Sequence, residues 1–259
     1  MNGMSEMLNS ASRKSAMFDE SVMRYVLSSV IAGLLISFGS FVSMSCGGLC
    51  VGTIGAASKL VTAFAFASAL SLVVVAGGEL FTGNNMVLGT ACLARRISID
   101  NCVSMCVWCA AGNYIGSWIG IVLYHLSGAD TANASVVAYT ASVASAKCHL
   151  SAFAMVVRGV LCNALVCLAI WCSFCLKSEA AKLVMIFWCI FVFMVCGFEH
   201  SIANMSIIGM ALVGNHPIDF GYVEYLKNIY CVMFGNVIGG LALVGIPYYI
   251  VTSCGGVKK

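Results

Sequence analysis

The sequence is poor in charged residues, and this scarcity excludes a soluble fold. Only 9% of its 259 residues are charged and 61% are hydrophobic, whereas soluble domains contain about 25% charged and about 45–50% apolar residues. Several stretches carry no charge over about 20 residues, the length needed to cross about 30 Å of hydrocarbon. The composition therefore predicts a polytopic membrane protein.

Two patterns are also missing from the charged residues that are present. The first 20 residues carry Glu6, Arg13, Lys14, Asp19 and Glu20, with no apolar segment ending in a small-residue cleavage site, so we expect no removable signal peptide. Basic residues form no stripe with interleaved aromatic side chains, as nucleic-acid-binding proteins do. The sequence therefore predicts no nucleic-acid partner.

The 15 cysteines do not show the spacing of a metal site. The closest pairs are Cys106/Cys109 and Cys172/Cys175. Neither has a second pair or a histidine pair at zinc-site spacing, so we interpret the cysteines as small buried apolar side chains. We expect no metal, no cofactor and no thiol- or metal-dependent enzyme. A disulfide between Cys46 and Cys50 remains an open alternative.

What the sequence does contain is an amphipathic start followed by six apolar spans. Apolar residues recur at helical spacing at Met4, Leu8, Ala11 and Phe18. Beside Arg13 and Lys14 they predict a helix over 1–21 that lies along the membrane surface, the alternative being a solvated helical tail. A membrane domain over 22–251 and a short tail over 252–259 follow. The spans are 22–46, 57–94, 100–124, 150–175, 180–213 and 225–251.

Basic residues indicate the orientation of these spans. With the N-terminus in the cytoplasm, nine basic residues lie on the cytoplasmic side: Arg13, Lys14, Arg24, Arg95, Arg96, Lys177, Lys182, Lys258 and Lys259. Only Lys59 and Lys147 fall on the other side. The positive-inside rule therefore predicts that both termini are cytoplasmic, and we expect the protein in the plasma membrane.

The second and fifth spans are too long for one straight crossing, and they match each other. Each is interrupted by Gly and polar residues, at 77–85 and at 197–204. A shift of 120 positions aligns three pairs: Gly77 with Gly197, Glu79 with Glu199, and Asn84 with Asn204. The following spans carry "GNYIGS" (112–117) and "GNVIGG" (235–240), offset by 123. We predict two inverted three-span repeats with broken helices, a pattern that marks a transport site near the midplane.

The polar residues at the breaks are the candidate site. Because backbone groups freed by a break cannot face lipid, we expect Glu79 and Glu199 to hold the loops by accepting loop N–H groups, and Asn84 and Asn204 to be N-caps. An ionisable residue at membrane depth, such as His200, is a functional candidate, the alternative being a histidine that only joins two helices. Two other cations stand near the spans. We expect Arg158 to extend its charged end to the membrane surface or to pair with a carboxylate, Glu79 or Glu199. We expect Lys147 to concentrate anions at the outer mouth or to be a plain solvated lysine.

Three segments carry a resemblance to a known family. They are "GGELFTGN" (77–84), "LCNALVCLAIW" (161–171) and "GFEHSIANM" (197–205). In order and spacing they resemble the formate/nitrite transporter family across essentially the whole chain. The resemblance implies a homopentamer in the lipid bilayer whose protomers are aquaporin-like and carry separate pores. The paired Asn-Pro-Ala boxes of true aquaporins are absent, because the only two prolines, Pro217 and Pro247, neither follow an asparagine nor precede an alanine.

The resemblance also implies roles for individual residues. His200 matches the central pore histidine, Thr82 the threonine facing it, and Lys147 the lysine of the outer vestibule. Asn163 and Asn236 match polar positions near that lysine and the central chamber. The positions that match the two pore constrictions are Phe66 and Phe193 on the outer side, and Leu70, Leu80 and Val166 on the inner side.

The implied function is the transport of small monovalent weak-acid anions, formate and nitrite first, by a passive or proton-coupled route. Hydrosulfide, acetate and lactate stay open as substrates, and a neutral-solute channel for water or glycerol is a further alternative. A bare anion should not cross two apolar constrictions, because charge is costly in a low dielectric. We therefore expect protonation of the anion near mid-depth, either by His200 or through water.

Overall fold

The computed structural model describes residues 2–214 and 217–254, which form a bundle of α-helices. The first half contains α1 (Asn2–Glu20), α2 (Val22–Ile54), α3 (Ser58–Phe66), α4 (Ser68–Ala76), α5 (Phe81–Leu93) and α6 (Ile99–Leu126). The second half contains α7 (Ala134–Cys148), α8 (Ala152–Cys175), α9 (Glu179–Cys196), α10 (Ser201–Val213), α11 (Tyr222–Gly240) and α12 (Ile246–Cys254). A 3₁₀ turn, Gly55–Ala57, joins α2 to α3, and a π-helical turn, Leu241–Gly245, joins α11 to α12.

The predicted all-α fold with six crossings is confirmed. The crossings are α2, α3–α5, α6, α8, α9–α10 and α11–α12. Five helical stretches of the described chain are long and apolar enough to cross a membrane, and the first, Val22–Ala76, already includes the start of the second crossing. The short α10 completes the fifth crossing. Both predicted interruptions are present, between α4 and α5 and between α9 and α10.

Serine caps stand at the start of four of the crossings, at α2, α6, α8 and α9. The hydroxyls of Ser21, Ser98, Ser151 and Ser178 each accept a hydrogen bond from the backbone N–H three residues later, at 3.1–3.4 Å. Each bond satisfies one of the N–H groups that the first turn of a helix leaves without a partner. Each apolar run therefore begins its helix at a defined residue, and this start determines which residues of the helix face the bundle.

Glycines let the two halves pack in the same way. A Cβ added at Gly116 would lie 1.9 Å from the carbonyl oxygen of Val30, so α6 touches the backbone of α2. The equivalent Gly239 would meet the carbonyl oxygen of Val160 at 2.1 Å, so α11 touches α8. Small residues allow this close approach of helices in membranes. Gly116 and Gly239 therefore pack helices within one protomer.

The structure differs from the predicted spans at three points. The first span continues to Ile54 rather than ending at 46, because Gly47 and Gly48 are packing positions against Tyr139 and Val136, and the helix ends only where Gly55 takes φ 55°. The second span has an additional mild break at Ala67, between α3 and α4. An unpredicted helix, α7, precedes the fourth span and packs against α2 and α10.

The N-terminal helix packs on the membrane domain instead of extending into solvent. Met4, Met7, Ala11 and Phe18 are buried, and α1 contacts α2, α5 and α8. The tail predicted over 252–259 is described only in its first residues, which still belong to α12; residues 255–259 lie outside the described chain. Cys46 and Cys50 are free, so the disulfide alternative is wrong, and the 14 cysteines between Cys46 and Cys231 are all free thiols.

Candidate functional site

The two interruptions have the same backbone. Each preceding half-helix ends at a glycine in the left-handed region: Gly77 has φ 80° and ψ 32°, and Gly197 has φ 72° and ψ 35°. The N–H of Gly78 donates to the carbonyl of Val73 at 3.0 Å, and the N–H of Phe198 donates to the carbonyl of Phe193 at 3.0 Å. Glycine is favoured at such helix ends because it has no Cβ to clash. The matching glycines in the sequence therefore produce matching breaks.

Two asparagines from the following crossings satisfy the opened backbone. Asn113 on α6 accepts from the N–H of Phe81 (2.9 Å) and donates to the carbonyls of Ser29 (2.7 Å) and Glu79 (2.9 Å). All three bonds are buried, and the N–H of Phe81, in the first turn of α5, has no partner within its own helix. Asn113 therefore joins α2, the first break and α5 through one amide.

Asn236 on α11 does the same for the second break. It accepts from the N–H of Ser201 (3.0 Å) and donates to the carbonyls of Gly159 (2.8 Å) and Glu199 (3.1 Å). An unpaired buried backbone group costs about 1–3 kcal/mol. The amides of Asn113 and Asn236 avoid this cost by forming the hydrogen bonds that water would form with an exposed loop. Because both ends of the Asn236 amide are occupied by backbone, its geometry favours a framework role over contact with a substrate.

The glutamates at the breaks bind side chains, which corrects the expectation that they accept loop N–H groups. Glu79 accepts from Lys14 Nζ and from Asn84 Nδ2 (2.9 Å). Glu199 accepts from Lys147 Nζ, 3.1 Å from each carboxylate oxygen, and from Asn204 Nδ2 (2.6 Å). Each break therefore carries a lysine, a glutamate and an asparagine in contact.

Asn84 and Asn204 are not N-caps, contrary to the sequence expectation. The residues in cap position are Leu80 (φ −108°, ψ 123°) and His200 (φ −108°, ψ 114°). The asparagines lie one turn further along α5 and α10, where their amides reach back to the glutamates. The prediction failed because it placed the resumption of each helix about four residues too late.

His200 and Thr82 meet at the centre of the molecule. His200 Nε2 lies 3.1 Å from Thr82 Oγ1, and both residues are buried, at 4% and 0% exposure. His200 Nδ1 accepts the backbone N–H of Ala203 at 3.0 Å and so caps α10. An imidazole nitrogen that accepts a hydrogen bond carries no proton, so a neutral His200 carries its proton on Nε2. Nε2–H therefore donates to the Thr82 hydroxyl, which leaves the hydroxyl proton free to donate further.

Asn163 holds Thr82 from α8. Its Nδ2 donates to the carbonyls of Thr82 (3.0 Å) and Asn236 (2.6 Å), and the Cys167 thiol lies 3.4 Å from the same Thr82 carbonyl. Asn163 Oδ1 is buried and has no hydrogen-bond partner in the described chain. Because buried polar atoms are normally paired, this oxygen can accept a hydrogen bond from a visiting solute or water.

Apolar side chains close both sides of this centre. The rings of Phe66 and Phe193 meet edge to face with centroids 6.1 Å apart, and Phe193 stacks on His200 at 5.9 Å with 12° between the planes. The residues predicted for the second constriction, Leu70, Leu80 and Val166, are all buried in the same core. Phe193 therefore contacts His200 directly, and the role of the other four residues as constrictions stays a prediction.

Two cavities approach the centre from opposite ends of the bundle. One, of about 570 Å³, is lined by Lys14, Glu79, Leu70, Leu80 and the last turns of α8; we call it the Lys14 cavity. The other, of about 500 Å³, is lined by Lys147, Glu199, Thr62, Tyr139 and the first turns of α8; we call it the Lys147 cavity. Because one helix borders both cavities with opposite ends, the buried section with His200 and Thr82 lies between them.

Comparison with known proteins decides the family. A family model described as Formate/nitrite transporter matches residues 2–250. The nitrite transporter NirC of Escherichia coli (strain K12) is 35% identical over 229 residues, covering 87% of this chain and 82% of that protein. The chain belongs to the formate/nitrite transporter family. Membership makes it a transport protein integral to a membrane and not an enzyme.

Solved structures agree with the membership. The structure of an "FNT family ion channel" matches with a TM-score of 0.90 at 30% identity, over 96% of this chain and 98% of that one. The structure of a "Pentameric formate channel with formate bound" matches with a TM-score of 0.80 at 25% identity, over 90% and 98% of the two chains. The formate/nitrite transporter fold therefore extends over nearly the whole chain.

Within this formate/nitrite transporter fold, two contributors were missed from the sequence. Asn113 could have been found, because the offset of 123 aligns it with Asn236. Lys14 could not, because its contact with Glu79 depends on how α1 folds back on the bundle. Of the two expectations for Arg158, pairing with a glutamate is wrong: the side chain lies exposed and donates to the carbonyl of Gly197 at 3.4 Å, whereas Lys147 and Asn204 occupy Glu199.

Proposed function

We propose that this protein carries small monovalent weak-acid anions, formate and nitrite first, through a pore in each protomer of a homopentamer. The observation that carries the proposal is the short buried section between the two cavities, where a hydrogen-bonded His200–Thr82 pair lies among apolar side chains. The similarity to a nitrite transporter and to a pentameric formate channel supports the substrate class and the assembly.

In the proposed orientation both termini are in the cytoplasm of a cell bounded by the plasma membrane. The Lys14 cavity then opens to the cytoplasm, and the Lys147 cavity opens to the outside. The excess of basic residues on the predicted cytoplasmic side supports this orientation. An anion enters either cavity hydrated and meets the apolar side chains that surround His200 and Thr82.

The centre is suited to receive an oxygen-bearing solute. Both α5 and α10 begin there, because Thr82 is the second residue of α5 and His200 caps α10. The N-terminal ends of helices carry a partial positive charge that favours negative solutes. The Thr82 hydroxyl can donate a hydrogen bond to the solute, and Asn163 Oδ1 can accept one. One donor and one acceptor match a carboxylic acid, whose two oxygens play opposite roles.

We infer that the proton comes from water in the cavities and not from the histidine. A charged imidazole would need a proton on Nδ1, but that nitrogen already accepts the N–H of Ala203. The apolar surroundings raise the proton affinity of an anion that loses its water, as burial raises the pKa of a carboxyl group. The solute therefore takes up a proton as it leaves the cavity, and the neutral acid passes the His200–Thr82 pair by exchanging hydrogen bonds.

The proposal is tested with purified protein in liposomes. Counterflow of labelled formate is measured against unlabelled formate, nitrite, hydrosulfide, acetate and lactate, with a pH indicator inside the vesicles. We expect formate and nitrite to exchange and net uptake to acidify the interior beyond the rate of empty vesicles. Exchange of hydrosulfide, acetate or lactate alone would reassign the substrate. Osmotic swelling with water or glycerol, without anion exchange or acidification, would contradict the proposal and favour a neutral-solute channel.

A further inference from the structure

The lysine expected to attract anions in the Lys147 cavity is already neutralised. Lys147 Nζ lies 3.1 Å from both oxygens of Glu199, and the side chains of the pair are only 16% and 3% exposed. A solute approaching from the mouth of the cavity meets this pair as a dipole. The field of a dipole falls off faster with distance than that of a free charge. Long-range attraction of an anion to this cavity therefore depends on residues other than Lys147.

Two other cations of the same cavity have no such partner. Lys59 and Arg158 both line the cavity and both are exposed. Neither takes part in an ion pair with any carboxylate of residues 2–214 or 217–254. Arg158 donates only to the carbonyl of Gly197, through a long 3.4 Å bond. Most of the guanidinium group therefore remains available to a ligand.

Both free cations lie at the loop that presents His200. A Cβ added at Gly197 would lie 3.4 Å from Lys59 Nζ, and Arg158 binds the carbonyl of the same glycine. Glu199 and His200 follow two and three residues later. The free charges are thus placed at the entrance of the path toward the centre and not at a remote surface.

The two cavities differ in charge. The Lys147 cavity is lined by three basic residues and one acidic residue, a surplus of two positive charges. The Lys14 cavity is lined by Arg13, Lys14 and Lys182 against Glu79 and Glu179, a surplus of one. In the latter, Lys14 pairs with Glu79 and Lys182 pairs with Glu179, which leaves only Arg13 free. The inverted symmetry of the backbone therefore does not extend to the anion-attracting charge.

We propose that Lys59 and Arg158 form the capture site of the Lys147 cavity, and that this site prefers planar anions with two oxygens. A guanidinium group presents parallel N–H donors that match two oxygens on one atom, as in formate and nitrite. A one-centre anion such as hydrosulfide can use the charge but not the paired donors. This inference rests on the proposed transport function and adds the residues that select the anion at the outer side.

The test is initial uptake of labelled formate, nitrite and hydrosulfide into intact host cells without their own carrier. Lys59→Arg, Lys59→Gln and Lys59→Glu form a charge series, and Arg158→Lys is compared with Arg158→Gln. We expect KM for external formate to rise by about two- to tenfold for each positive charge removed, with little change in maximal rate. Arg158→Lys should raise KM for formate and nitrite and leave hydrosulfide nearly unchanged.

The matched control is Lys227→Ala, which removes the same charge from an exposed residue that does not line the cavity. It should leave every KM unchanged, and added salt should weaken formate uptake by the parent more than uptake by Lys59→Gln. Equal KM values across the Lys59 series, at matched protein levels in the membrane, would overturn the inference. A parent protein that transports none of the anions would instead contradict the proposed function, so the two failures are distinguishable.

Discussion

Replacing His200 with asparagine separates two roles that a central histidine can have. Asparagine cannot titrate, but its Oδ1 stands at the same distance along the side chain as His200 Nδ1. It can therefore keep the 3.0 Å bond to the N–H of Ala203 that caps α10. Its Nδ2 takes about the position of the imidazole Cδ2, one bond or about 1.4 Å short of Nε2, so the 3.1 Å bond to Thr82 is lost or passes through a water.

The expected magnitude follows from these two bonds. The cap is retained, so the thermal midpoint of His200→Asn should stay close to that of the parent. The loss of one neutral hydrogen bond at the centre, about 1 kcal/mol, should slow formate exchange about fivefold. The change in rate between pH 5 and pH 8 should be preserved, because in our mechanism the proton comes from water. His200→Phe is the contrasting variant: it loses both bonds and should show a lower thermal midpoint and a much slower rate.

The assay is counterflow of labelled formate in liposomes across pH 5 to 8, with protein amounts matched by quantitative blotting. A parallel measurement of the thermal midpoint in detergent shows whether the variant keeps the N-terminal cap of α10. If His200→Asn exchanges formate at a rate that no longer depends on pH, the imidazole itself stores the proton and our reasoning is wrong. If His200→Phe matches the parent in rate and pH profile, His200 has no part in the mechanism.

Three further outcomes follow from the framework around the breaks. Lys147→Ala should lower the free energy of unfolding by about 3–5 kcal/mol, because it leaves Glu199 charged and buried; adding Glu199→Gln should recover part of the loss, and no recovery would argue against an electrostatic cause. Asn113→Ala should lower the thermal midpoint, since the buried N–H of Phe81 and the carbonyl of Glu79 at the break lose their amide partner; an unchanged midpoint would mean that water replaces the amide. Gly116→Ala places a methyl group 1.9 Å from a carbonyl oxygen and should reduce membrane insertion or stability, whereas Gly52→Ala, with nothing within 4 Å, should not; equal behaviour of the two would contradict the close packing of α2 and α6.

The two lysine–glutamate–asparagine groups show how the protein keeps charge inside a membrane domain. A buried ion pair gains little net stability over apolar packing, because desolvation offsets the attraction. Here each pair also connects a separate helix to a break. Lys14 of α1 binds Glu79 at the first break, and Lys147 at the end of α7 binds Glu199 at the second. The free charge that attracts anions is supplied separately, by Lys59 and Arg158.

The sequence by itself determined the number of crossings, the two breaks and the inverted repeat. Each of these depends on local properties: the length of an apolar run, the preference of glycine for a left-handed helix end, and the register of two glutamates and two asparagines at a common offset. The family motifs also pointed to His200 and Thr82 together. These local properties are sufficient to predict the crossings, because a membrane-spanning segment of this kind must be helical or have its free backbone groups hydrogen-bonded inside the protein.

Only the tertiary structure decided which polar groups bind each other. Lys14 and Glu79 are 65 residues apart in the chain, and Lys147 and Glu199 are 52 apart. No pattern in the sequence distinguishes a paired lysine such as Lys147 from a free one such as Lys59. Pairing requires that two side chains from distant segments reach one buried position, and that position exists only after the helices have packed. The difference between a neutralised charge and an attracting one is therefore a property of the fold.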